Sequence, residues 1–395
     1  MRRAMVMVGL ILGSFTLSGC MADEEPDEEI WSEPDLVVSI NSLRDEFNGM
    51  SYEGEYYYGE DEWVIHDPSE IVEIDGLLMI GVTGKAQEDG YDCGLETWYI
   101  FPNESDFSPG QCILQNKPEW INEFVPSNDG AFWAPGFLNS RTMYYTVPVG
   151  NAMGEAEDTQ SCIGMVTASG EVPNLIWVDH GSPILCQPEG EENWEDPEPP
   201  ALDPATFTDT DGSVYLVYGG AHIWITELNP ESGERINEQE WDNGDSGVFT
   251  HLANGPTNSD EDGDPWVEAA YIHKEGDYYY LFVNWYGCCN GADSTYEIYV
   301  GRSNSLKGPY SDSGGVSMLD GGGTLVLDAS SGYIGPGHAS VFEYGENQVF
   351  THHYYESDGV PWSFIEAHEL SWSEEGWPVI GPVWDALDYW NLQSV

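Results

Sequence analysis

The stretch VEAAYIHKEGDYYYLFVNWYGCCNGADSTYEIYVGRS, residues 267–303, decides the fold. It opens with a carboxylate, Glu268, at the head of an apolar run and turns at Lys274-Glu275-Gly276-Asp277. An aromatic strand returns from Tyr278 to Trp285. A vicinal cysteine pair, Cys288 and Cys289, follows, and alternation resumes from Thr295 to Val300. Period-two alternation bounded by Gly/Asp turns predicts antiparallel hairpins. Helical signals are nearly absent along the rest of the chain, so the expected class is all-β.

Working outward, four further segments share this plan: HDPSEIVEIDGLLMIGVTG (66–84), APGFLNSRTMYYTVPV (134–149), LDPATFTDTDGSVYLVYGG (202–220) and HASVFEYGENQVFTHHYY (338–355). Aligned on their opening positions, the five segments place Asp67, Gly136, Asp203, Glu268 and Ala339 in register, at intervals of 69, 67, 65 and 71 residues. A period near 68 residues with about four strands per unit predicts a five-bladed β-propeller. Residues that open the innermost strands of a propeller converge on one end of its axis. Asp67, Asp203 and Glu268, remote in sequence, are thereby expected in one site, where paired carboxyl groups can divide acid and base roles.

Composition narrows the partners. The 395 residues carry 10 basic and 71 acidic side chains, a formal charge of −61. Such a surface makes nucleic acid, anionic lipid and polyanionic sugars poor partners, whereas a neutral polysaccharide meets no repulsion. High external salt, which screens the charge, is the expected habitat.

The N-terminus sets Arg2-Arg3 before an apolar run from Ala4 to about Leu17, too short to span a bilayer as a mature helix. It ends Leu17-Ser18-Gly19-Cys20, which resembles a bacterial lipoprotein box. The resemblance implies a signal peptide over residues 1–19 and lipidation of Cys20. It also implies attachment to the cell envelope through that lipid alone; an ordinary secretory peptide ending in cysteine is the alternative. Met21 after the cysteine points to the outer membrane. The acidic, Pro-containing stretch 20–35 reads as a tether, and residues 36–395 as the propeller domain. The other six cysteines suggest disulfides in an exported chain, with Cys93–Cys112, Cys162–Cys186 and Cys288–Cys289 the economical pairs.

Several of these segments resemble family 43 of the glycoside hydrolases, and within it the endo-α-1,5-L-arabinanases. The resemblance rests on His66-Asp67-Pro68-Ser69; on Leu202-Asp203-Pro204 with Asp209-Thr210-Asp211-Gly212; and on Val267-Glu268-Ala269 with GCCNGADSTYEIYVGRS (287–303). GPGHASV (335–341) and LSWSEEGWPVI (370–380) belong to the same pattern. It implies hydrolysis of α-1,5-linked L-arabinofuranosyl chains of a neutral plant polysaccharide or oligosaccharide, with inversion. An exo-acting arabinofuranosidase or β-xylosidase, or a glycan-binding lipoprotein without turnover, are the alternatives. By the same resemblance Asp67 is the general base, Glu268 the general acid, and Asp203 the carboxylate that raises and orients the acid. His338 matches a histidine that helps hold a hydrated calcium ion near the axis; a hydrogen-bonded blade histidine is its other reading. His66 is read as positioning the strand, and His352 and His353 as structural. Trp133 and Trp285, near strand ends, are candidates to stack on sugar rings or to fill blade cores. The chain departs from the family pattern at Gly136, where aspartate is common, and at Gly219-Gly220-Ala221-His222-Ile223. The second departure makes His222 a candidate substrate contact.

Overall fold

The computed structural model describes residues 65–87, 90–128, 130–149, 161–172, 174–187, 201–236, 249–256, 266–356 and 363–393. The expected signal peptide, Cys20, the expected acidic tether and residues 36–64 lie outside them.

Five antiparallel sheets follow one another along the chain, each built from consecutive strands. Blade one comprises β1 (Val72–Ile74), β2 (Leu77–Gln87), β3 (Gly90–Ile100) and β4 (Ser108–Cys112). Blade two comprises β5 (Trp133–Asn139), β6 (Thr142–Val147), β7 (Cys162–Ser169) and β8 (Ile176–Asp179), with the short β9 (Leu185–Cys186) also on β7. Blade three runs β10 (Ala205–Thr208), β11 (Val214–Tyr218), β12 (His222–Leu228) and β13 (Phe249–Asn254). Blade four runs β14 (Val267–Glu275), β15 (Tyr278–Trp285), β16 (Glu297–Ser303) and β17 (Thr324–Leu327). Blade five runs β18 (Ile334–Tyr344), β19 (Asn347–Tyr355), β20 (Ser363–Trp372) and β21 (Pro378–Val383). Two α-helices, α1 (Ile121–Phe124) and α2 (Ala386–Gln393), and three short 3₁₀ turns complete the described elements. This is the expected five-bladed β-propeller.

Alternation creates the hairpins and the turn residues set their register. Asp75 and Gly76 join β1 to β2 with φ of 47° and 83°. Positive φ at both central residues matches the right-handed twist of the flanking strands, which Asp-Gly adopts at low cost. The blades cohere because both faces of each sheet are buried. Five separate apolar cores occupy the five blade interfaces, and the last of them sets Ile65, Leu78 and Ile80 against Phe342, Trp384 and Trp390. Each such side chain contributes roughly 1.5–3 kcal/mol on burial, so these interfaces, more than any polar contact, close the ring. A backbone bond from Ile65 N to Ser363 O, 3.1 Å, joins the two ends of the propeller.

All three expected cysteine pairs are bridged. Cys93–Cys112 links β3 to β4, Cys162–Cys186 links β7 to β9, and Cys288–Cys289 lies in the loop between β15 and β16.

Candidate active site

Each blade begins with a residue in the left-handed region: Asp67, Ala134, Asp203, Ala269 and His338, with φ between 44° and 57°. This conformation is costly for side-chain-bearing residues and persists only where surroundings enforce it. Here the enforcement is a ring of bonds to the five amides. Thr83 Oγ1 on β2 accepts from Ala134 N at 2.9 Å, and Thr146 Oγ1 on β6 from Asp203 N at 2.9 Å. Asn284 Oδ1 on β15 accepts from His338 N at 3.0 Å, and His353 Nδ1 on β19 from Asp67 N at 3.3 Å. In blade three the corresponding place on the second strand falls to Gly219, whose N–H meets Leu202 O at 2.8 Å. Gly219 has no side chain to offer, and a Cβ there would stand 2.1 Å from His222 O. The Asp203 carboxylate takes over instead, its Oδ2 accepting from Ala269 N at 3.0 Å.

This ring corrects the alignment expected from spacing. Asp67 and Asp203 hold equivalent places, but their counterparts are Ala134, Ala269 and His338, and Glu268 lies one residue earlier. The ladders shift register at Trp133/Gly136, Glu268/Tyr271 and Gly337/Ser340. A bulge adds a residue to one strand without leaving a mark in the spacing.

The three carboxylates do converge, in contrasting surroundings. Asp67 Oδ2 accepts from Thr83 Oγ1 at 2.7 Å and faces His66 Nδ1 at 2.8 Å. Its Oδ1 has only looser neighbours, His338 Nδ1 at 3.5 Å and His353 Nδ1 at 3.7 Å. Burial works to raise the Asp67 carboxyl, but the charge of His66, the bond from His66 and the nearby His338 imidazole hold it well below its ordinary range.

Glu268 accepts from Trp266 Nε1 at 2.6 Å on Oε2 and from Tyr296 OH at 2.9 Å on Oε1. Burial raises its carboxyl; the bonds from Trp266 and Tyr296 pull it down, the charge of Asp67 pushes it up, and the outcome is a raised value. Asp203 is buried, and burial followed by the charges of Glu268 and Asp67 pushes it well above the usual range. One carboxyl held low beside two pushed up is the division that acid–base cleavage of a glycosidic bond needs.

The remaining residues singled out in the sequence fall in different places. His338 lines a cavity on the axis with Pro68, Gly136, Pro204, Ala269 and Ser340. Trp133 is half-buried immediately before Ala134. His222 opens β12, its Nδ1 2.6 Å from Asn254 Oδ1 and its ring edge-on to His251. Trp285 is buried, with Tyr299 stacked on it at 3.7 Å between ring centroids, and so packs within blade four.

The structure gives His66 and His353 more than a strand-positioning or structural part. His66 contacts Asp67 directly, and His353, fully buried and stacked on His66 at 4.5 Å, accepts the Asp67 amide; only His352 is remote packing. Thr83, Trp266 and Tyr296 were not singled out at all. The only sequence signal for Tyr296 was its place in the Ser-Thr-Tyr run beside the cysteine pair.

A propeller whose axial face gathers one low and two raised carboxyl groups defines a glycosidase-type site. The family model for glycosyl hydrolases family 43 matches residues 111–378, and the chain belongs to that family. It is 30% identical over 306 residues to an extracellular exo-α-(1→5)-L-arabinofuranosidase of Cellvibrio japonicus, covering 72% of this chain and 83% of that one. It is 27% identical over 329 residues to an extracellular endo-α-(1→5)-L-arabinanase of Bacillus subtilis, covering 82% and 89%. Among solved structures, an α-L-arabinanase of Cellvibrio cellulosa complexed with arabinohexaose superposes with a TM-score of 0.65 at 25% identity, over 81% of this chain and 96% of that one.

Proposed function

We propose that this protein is an endo-acting glycoside hydrolase that cleaves α-1,5-linked L-arabinofuranosyl chains with inversion. The observation that carries the reading is the convergence of Asp67 and Glu268 in one site, with surroundings that push the first carboxyl down and the second up. Asp67, ionised, takes a proton from water through its less encumbered Oδ1. The hydroxide so formed attacks the anomeric carbon while Glu268 protonates the departing glycosidic oxygen. Inversion requires the two carboxyl groups on opposite faces of the sugar, about 6.5–9.5 Å apart to admit the water. Asp203 serves by its proximity to Glu268, and by pinning Ala269, the next residue, it fixes the backbone that carries the acid. Trp133 and His222 are the proposed contacts to flanking sugars. Trp285 is retained only as support for that wall.

A neutral arabinan suits the strongly acidic chain. The Bacillus arabinanase, 27% identical over 82% of this chain, carries the endo reading, and the Cellvibrio arabinofuranosidase, 30% identical over 72%, favours an exo-acting second reading. Both relatives are extracellular, which fits the proposed signal peptide, Cys20 lipid anchor and outer-membrane attachment.

A calcium ion is proposed near the axis. His338 Nδ1 is buried without a hydrogen bond, with Asp67 Oδ1 3.5 Å away. A single imidazole with a carboxylate nearby suits an ion that keeps most of its waters. Such an ion supplies positive charge beside the catalytic carboxylates.

The test is product analysis on linear and branched arabinan at molar salt with calcium present. Short oligosaccharides of mixed length support endo action, and arabinose alone supports the exo reading. No product from arabinan, xylan or other neutral glycans would overturn the hydrolase reading in favour of a binding protein.

A further inference from the structure

The Cys288–Cys289 bridge lies against the catalytic face. Both sulfurs stand 3.7 Å from His66 Nε2, and Cys288 Sγ is 3.9 Å from the Tyr355 hydroxyl. Cys289 is exposed to solvent, so a small reductant can reach the bridge. Tetrahedral zinc, with bonds of about 2.3 Å to sulfur and about 2.0–2.1 Å to nitrogen, separates neighbouring ligand atoms by about 3.5 Å. The spacing of His66 Nε2 to either sulfur nearly meets that.

The orientation of His66 also suits a metal. Its Nδ1 faces the Asp67 carboxylate at 2.8 Å, which leaves the lone pair on Nε2 pointing at the sulfurs and the Tyr355 hydroxyl, 2.7 Å away. Metal-binding histidines commonly donate their second ring nitrogen to a carboxylate in this way, which fixes the ring and strengthens the ligand. His353, stacked behind His66, accepts the Asp67 amide on Nδ1, so its proton sits on Nε2 and it is not a ligand.

We propose that opening the Cys288–Cys289 bridge creates a site for a soft divalent cation, held by His66 and Cys288, that switches the hydrolytic site off. The chemistry balances with a dithiol as reductant. Its two electrons and two protons pass to the cysteine sulfurs, giving two thiols, and the dithiol leaves as its own disulfide. The cation then replaces the Cys288 thiol proton, which goes to solvent, and the Tyr355 hydroxyl gives way at Nε2. Cys289 or water completes the coordination. The bound cation keeps His66 at Asp67 but adds positive charge there, which weakens the carboxylate as a base. With the bridge closed, neither sulfur is a thiolate and the site is shut to metal. The inhibition rests on the hydrolase reading; metal uptake does not.

Cadmium is the probe, read by its thiolate charge-transfer absorption with no substrate present. The full chain, reduced with a dithiol and freed of it, is expected to gain this band with one cadmium bound per chain, while the unreduced protein does not. Cys288→Ser should remove the band although the other reduced cysteines remain. Asp67→Asn should weaken cadmium binding about ten- to hundred-fold, because it removes the carboxylate behind His66. His66→Gln offers a second variant should the serine form fail to fold, and it too should lose the band. Bound cadmium should suppress arabinan hydrolysis, with recovery on chelation. A bridge that stays closed under the dithiol, a reduced protein that gains no band, or a band unchanged in Cys288→Ser and His66→Gln overturns the proposal.

Discussion

The hydroxyl of Tyr296 donates to Oε1 of Glu268 at 2.9 Å, so the loop that bears the cysteine pair also grips the proposed acid. Both donors on Glu268 favour its ionised form, yet burial outweighs them and keeps the carboxyl raised.

Tyr296→Phe removes one of those donors. The Glu268 carboxyl then rises further, and the alkaline limb of kcat/KM against pH moves upward by about one pH unit, the worth of one bond to a charged group. A pH profile of the variant checks this; a downward shift would contradict the assignment.

His66→Gln acts on the other limb. The charge of His66 and its bond to Asp67 are what lower that carboxyl against the effect of burial. Their loss moves the acid limb to higher pH and lowers kcat/KM by roughly ten- to a hundred-fold. A profile whose acid limb stays in place would show that His66 does not govern the base.

Glu268→Gln should nearly abolish hydrolysis of arabinan, whose leaving group needs a proton. Activated aryl glycosides need little protonation and should retain far more activity. Equal loss on the two substrates would remove Glu268 from the acid role.

Glu70 borders the axial cavity, and burial pushes its carboxyl up to about 7 from an ordinary 4.5. Between those values the folded chain holds a proton that the unfolded chain releases. Stability therefore falls as pH rises through that window and levels off above it. Glu70→Gln should flatten this dependence and gain at most about 3 kcal/mol above the window. Denaturant unfolding at about pH 5 and about pH 8 measures the difference.

A formal charge of −61 makes salt a stabiliser. Screening shortens from about 10 Å at 0.1 M to about 3 Å at 1 M, so the melting temperature should climb steeply over that range. Equal melting temperatures in low and molar salt would mean that the negative surface does not strain the fold.

By itself the sequence determined the class of fold, the number of blades and the three carboxylates, while the cysteine pairing it only suggested was decided by the structure. Alternation, turn residues and a repeat near 68 residues are local or periodic, and they survive in one dimension. The tertiary structure decided what surrounds the carboxylates. The register shift that sets Glu268 one residue before Ala269 is a bulge, invisible in spacing. His353 reaches the Asp67 amide across 286 positions of chain, and Asn284 reaches the His338 amide across 54. Gly219 is informative for the side chain it lacks, since its gap in the amide ring draws Asp203 to Ala269, beside Glu268. Burial and charge at such contacts, which drive Asp67 down and Glu268 up, depend on closure of the ring and exist only once the five blades have met.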